Sequence, residues 1–77
     1  MKLTKKEQEL LNDLDTTGPS EVIQNPYSGR SVELDGTGVA LYDFIKAAGA
    51  FGLHNDTILA KTAFAKLYPN EYMILID

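Results

Sequence analysis

The chain has 77 residues, no cysteine, one histidine, and 7 basic residues against 11 acidic ones for a net charge of −4. That length allows one domain with a small core, burying a little over ~60% of its unfolded surface. The missing cysteines exclude disulfides, thiolate nucleophiles and thiolate metal sites. The lone His54 cannot build a histidine-rich metal site, and the acidic balance disfavours phosphate backbones.

Residues 4–15 have the pattern of a helix. Thr4 and Glu7 stand at capping-box spacing, and Leu3, Leu10, Leu11 and Leu14 make a narrow apolar stripe opposite Lys5, Lys6, Glu9, Asn12 and Asp13. Asp15–Pro19 stops it. A helix this short is marginal alone, so residues 1–20 are expected to be flexible or loosely docked. No apolar core follows Lys5 and Lys6 and no run reaches the length of a membrane span, so a soluble chain without a secretory leader is expected.

Residues 16–30 are mostly turn chemistry, with Val22 and Ile23 as apolar anchors and one short helical turn allowed near Pro19 and Ser20. NPYSG (25–29) specifies a turn. Asn25 suits its first position, Pro26 presets φ for the second, and Gly29 tolerates a positive φ on the exit. The spacing differs from an NPxY docking peptide, because Tyr27 follows Pro26 directly. Ser31–Leu34 alternates as a short extended segment with Val32 and Leu34 inward.

DGTG (35–38) resembles the DTG of aspartic proteases, but a glycine separates Asp35 from Thr37. It also lacks the lysine and spacing of a phosphate loop, so a turn with Thr37 as helix cap is expected. The helix over 38–48 buries Leu41, Phe44, Ile45 and Ala48, turns Asp43 and Lys46 outward, and ends at Gly49 and Gly52. A third helix is expected over 56–67, capped by Asp56. Its apolar positions cover more than half the circumference, which places it centrally and leaves Lys61, Thr62 and Lys66 outward. Pro69 breaks it. In the tail, Pro69 and Glu71 favour a short helix, although the apolar run 72–76 also suits a strand. Either way the tail needs cover, and its removal should unfold or aggregate the domain.

The fold expected is a single mainly α domain over 1–77. It is a small helical bundle around a hairpin of helices 38–48 and 56–67, with the N-terminal helix and the tail packed on it. The alternative is a minor β pairing of 31–34 with 72–76.

Four tyrosines, Tyr27, Tyr42, Tyr68 and Tyr72, are the candidate partner-binding residues. Amphipathic rings make good interface anchors, and Tyr42 lies one position off the buried stripe of its helix. The competing role is to cap a small core with the hydroxyl in water. His54, in a connection with no nucleophile beside it, is read as a solvated loop residue. The two main helices could form a helix-turn-helix for nucleic acid. Against this, a connection over 49–55 exceeds the usual three or four residues, and Lys61 and Lys66 against Asp56 give little charge. An enzyme subunit offering Glu33, Asp35 and Asp43 to an oligomeric site is the remaining class. No catalytic residue, cofactor or metal is assigned.

NPYSG, LYDFI (41–45) and YPNEYMILID (68–77) together resemble a group of small uncharacterised proteins encoded by tailed bacteriophages. The resemblance spans Gln24–Asp77 and leaves out the first helix. It implies no transferable activity. It implies a virus-encoded protein in the host bacterial cytoplasm that binds a bacterial or phage protein, with homo-oligomerisation open.

Overall fold

A computed structural model describes residues 2–76; Met1 and Asp77, the last residue of the tail motif, lie outside the described residues. In chain order the elements are α1 (Lys5–Asp13), β1 (Glu21–Gln24), β2 (Ser31–Leu34), α2 (Gly36–Ala50), α3 (His54–Leu67) and α4 (Pro69–Leu75). The domain is mainly α, with one small two-stranded antiparallel sheet. Among the described residues no helix is long and apolar enough to cross a membrane.

The expected capping box closes α1: the Glu7 N–H donates to Thr4 Oγ1 at 3.2 Å, and the Thr4 N–H donates to Glu7 Oε1 at 2.7 Å. Leu11 is buried, and Leu3, Leu10 and Leu14 pack partly against the core. α1 therefore packs on α3.

The pairing of 31–34 with 72–76 does not occur. β2 pairs antiparallel with β1, with Glu21 opposite Leu34 and Gln24 opposite Ser31. The NPYSG turn reverses the chain, so the strand just before it is the nearest partner and closing the loop between them costs little entropy. Residues 72–76 instead belong to α4 and the turn that ends it, started by Pro69 at its first position with Glu71 in its first turn. The helical turn expected near Pro19 and Ser20 is absent for the same reason, since the residues that follow enter β1.

Asp35, not Thr37, caps α2: its carboxylate accepts from the Gly38 N–H at 2.9 Å. Two glycines there serve close packing. A β-carbon at Gly36 would collide with the carbonyls of Thr16 and Gly18, and one at Gly38 would press on Leu34 and the Tyr68 ring. At the other end α2 runs through Gly49 to Ala50. It closes in a Schellman motif, with Leu53 N–H to Ala48 O at 2.9 Å and Gly52 N–H to Gly49 O at 3.2 Å. Gly52 takes φ +71, the left-handed conformation that motif needs. The turn runs straight into α3, so that helix starts at His54 rather than Asp56. Asp56 then sits in its first turn, where its charge suits the helix dipole.

The core gathers on Phe64, which is fully buried. Leu34 from β2, Leu41, Tyr42 and Ile45 from α2, Ala60 and Ala63 from α3, and Leu75 from α4 make up most of the rest. As the periodicity predicts, α3 is central and packs against α1, α2 and α4. The small side chains of Ala60 and Ala63 allow neighbouring helices to approach closely there. Ile58 and Leu67, although apolar, stay on the exposed side of α3.

Candidate partner-binding surface

The hairpin loop is built around Asn25. Its backbone N–H donates to Arg30 O at 2.8 Å, and its carbonyl accepts from the Gly29 N–H at 2.9 Å. Its side-chain oxygen accepts from the Tyr27 N–H at 2.8 Å and, more weakly, from the Ser28 N–H at 3.4 Å. Gln24 Nε2 adds a bond to Gly29 O, and Gly29 takes φ +78. The other end of the Asn25 amide donates to Ile74 O at 2.9 Å, which ties the loop to α4. Asparagine suits this position because its carbonyl can imitate a backbone acceptor while its amide reaches elsewhere. The result is Tyr27 held on a braced turn with 97% of its surface open to water.

The other three tyrosines have different fates. Tyr42 is buried in the core rather than at its edge, and the Lys46 ammonium lies 5.6 Å from its ring centroid. Tyr72 packs partly against the core, 6.4 Å from Phe64 between ring centroids. Tyr68 stacks at 5.2 Å from Phe64 and donates its hydroxyl proton to Asp35 Oδ1 at 2.6 Å. Partial burial and the Asp35 carboxylate raise the Tyr68 hydroxyl well above its ordinary pKa. Asp35 is held below its ordinary value by the Tyr68 hydroxyl and the Gly38 N–H. This contact joins the α3–α4 junction to the start of α2. The four rings therefore do not form one patch: Tyr27 faces solvent, Tyr42 is inside, and Tyr68 and Tyr72 lie against Phe64.

Of the three carboxylates considered for an oligomeric site, Asp35 is the helix cap, and Glu33 on β2 and Asp43 on α2 are exposed. Among the described residues no group of three His, Asp or Glu side chains could hold a metal ion. His54 is exposed at the start of α3.

Several exposed apolar residues lie outside the four tyrosines. Val22 on β1 is 69% exposed and Phe51 in the α2–α3 turn is 81% exposed; Leu53, Ile58 and Met73 are also open. Val22 had a signal, since Val22 and Ile23 are adjacent on a strand and cannot both point inward. Phe51 had one in the glycine that follows it, because a left-handed glycine after a helix places the preceding residue at the exposed cap. Next to Ile58, an open groove of about 630 Å³ separates the N-terminal turn of α1 (Thr4–Glu7) from Asn55, Asp56, Leu59 and Thr62 on α3.

The α2–α3 connection is the three residues Phe51–Leu53, not the seven of 49–55, so the length objection to a helix-turn-helix falls. The charge objection gains weight, because Lys66 is committed to an ion pair with Glu7 at 2.8 Å. No family model, curated protein or solved structure matches this chain.

Proposed function

We propose that this chain is a non-enzymatic protein-binding module of bacteriophage origin. It engages a bacterial or phage protein in the host cytoplasm, with Tyr27 as its anchor. The observation that carries the reading is a fully exposed aromatic ring on a loop already braced by hydrogen bonds. A preorganised loop loses little entropy when it binds, and tyrosine is among the residues that most often dominate interface energy. The viral and cytoplasmic part of the proposal draws support from the NPYSG, LYDFI and YPNEYMILID resemblance. The test is affinity capture from bacterial lysate with the native chain and Tyr27→Ala in parallel. The reading expects a protein retained by the native chain whose affinity for the variant is at least ~10-fold weaker. Equal retention by both chains, or none by either, ends it.

One observation favours a second reading, a small nucleic-acid-binding regulator: the three-residue, glycine-containing turn between α2 and α3. Under that reading the exposed N-terminal half of α3 would enter a groove. Electrostatic affinity is strongest at low salt, so undetectable binding to duplex there removes this reading.

A further inference from the structure

Among the described residues Glu7 is the one charged side chain withdrawn from water, with 2% of its surface exposed. Its Oε1 accepts from the Thr4 N–H at 2.7 Å and from the Lys66 ammonium at 2.8 Å. The Lys66 side chain is itself largely covered. A buried pair of this kind contributes little net stability, yet either charge left alone is costly. The seat of α1 on α3 is therefore selective: it takes leucines along one stripe and needs a carboxylate opposite Lys66. α1 is also a separable piece. It is a single nine-residue helix whose main packing is on α3. The chain after it is extended at Leu14 (φ −90°, ψ 149°) and forms neither helix nor strand until Glu21. The hydrogen bonds of that connector are local, between Thr17 and Asp15. Thr16 and Gly18 rest on Gly36, so a pivot at Leu14–Asp15 moves α1 without disturbing the start of α2.

We propose that α1 is an exchangeable helix, and that its seat on α3 accepts the α1 of a second copy of this chain. The occupant is identified by the complementarity already present: the same leucine stripe, and Glu7 of one copy on Lys66 of the other. An exchanged dimer repeats every contact of the monomer and differs at the pivot, so concentration alone shifts the balance between them.

Charge reversal tests this with whole chains. Glu7→Lys alone and Lys66→Glu alone each place like charges at the seat, and both variants should melt lower than the native chain. Mixed in equal amounts, they regain opposite charges at both seats only by exchange. The expected result is a heterodimer of twice the monomer mass whose melting temperature rises above that of either variant. The double variant Glu7→Lys with Lys66→Glu in one chain restores the pair internally and should remain monomeric at the same concentration. A mixture that stays monomeric, with each variant melting as it does alone, overturns the proposal. If either single variant does not fold, the native chain decides. Labelled and unlabelled copies, unfolded and refolded together at millimolar concentration, should give isotope-filtered contacts between α1 of one copy and α3 of another. Their absence overturns the proposal, as does a dimer that forms without them.

Discussion

Around Phe64, helices α2, α3 and α4 and strand β2 meet through apolar surface, and the rings of Tyr68 and Tyr72 close over it. At the hairpin loop there is little apolar burial, and the geometry comes from Asn25, which bonds to five other residues. The first region accepts apolar side chains that conserve its volume, because apolar attraction is non-directional. The second depends on a particular amide at a particular position, because a hydrogen bond has direction. A small domain can thus be stabilised in one place and hold a residue in position in another, and Tyr27 is held by the second means.

The sharpest way to break the comparison is Phe64→Ala. Truncating a fully buried ring costs about 3–5 kcal/mol, close to the whole stability of a domain this small. Chemical denaturation should find the variant largely unfolded, while the loop variants below remain folded.

Glu7→Gln probes the polar element that joins α1 to α3. It keeps the volume, removes the charge opposite Lys66, and should cost about 1–3 kcal/mol. Glu7 is held below its ordinary value of 4.5, first by the hydrogen bond from Lys66 and then by that from Thr4. Asp35 is held below its ordinary value of 3.8. For a group whose folded pKa is depressed, the folded state favours the charged form. Its contribution is present above the ordinary pKa and is lost as pH falls through the lowered value. Melting temperature measured against pH should therefore fall in acid below about pH 4.5 for the native chain. The fall should be shallower for Glu7→Gln, whose reference at neutral pH is already lower.

Asn25→Ala removes the acceptor for Tyr27 and Ser28 and the bond to Ile74 O, and should cost about 1–2 kcal/mol. Its amide exchange should quicken in the hairpin and at the end of α4 but not across the α2–α3 seam, which separates the two regions directly. Tyr68→Phe keeps the stacking on Phe64 and loses the bond to Asp35. The expected cost is about 0.5–1.5 kcal/mol, read by denaturant midpoint at unchanged slope. Smallest of all, Tyr27→Ala should leave stability within about 0.5 kcal/mol of the native value, since that ring touches water. A larger loss would mean that the loop is part of the core after all.

Much of the helical frame was legible along the chain. The Thr4–Glu7 box, the stripe at Leu41, Ile45 and Ala48, the central position of α3 and the break at Pro69 are local or periodic signals, and each appears where the residues predict it. The misses lie where more than one local option was open. Asp35 and Thr37 both suit a cap, and Asp35 takes the role while also accepting the Tyr68 hydroxyl. Glu21–Gln24 lacks the polar–apolar alternation that marks Ser31–Leu34, and becomes a strand because the turn after it brings β2 alongside. Residue type alone makes the four tyrosines candidate anchors, but their separation into one exposed, one buried and two packed rings is not written in it. One position around a helix decides whether Tyr42 lies at the edge or inside.

The amino-acid order by itself determined the mainly helical class, the capping box of α1 and the position of the turn that presents Tyr27, because those depend on residues a few positions apart. The tertiary structure alone decided that Lys66 meets Glu7, that Asn25 reaches Ile74, and that Tyr68 bonds to Asp35. These pairs stand 59, 49 and 33 residues apart. No periodicity links residues so distant. They meet because burying the surface around Phe64 brings the elements together, and each polar group then takes a partner within reach.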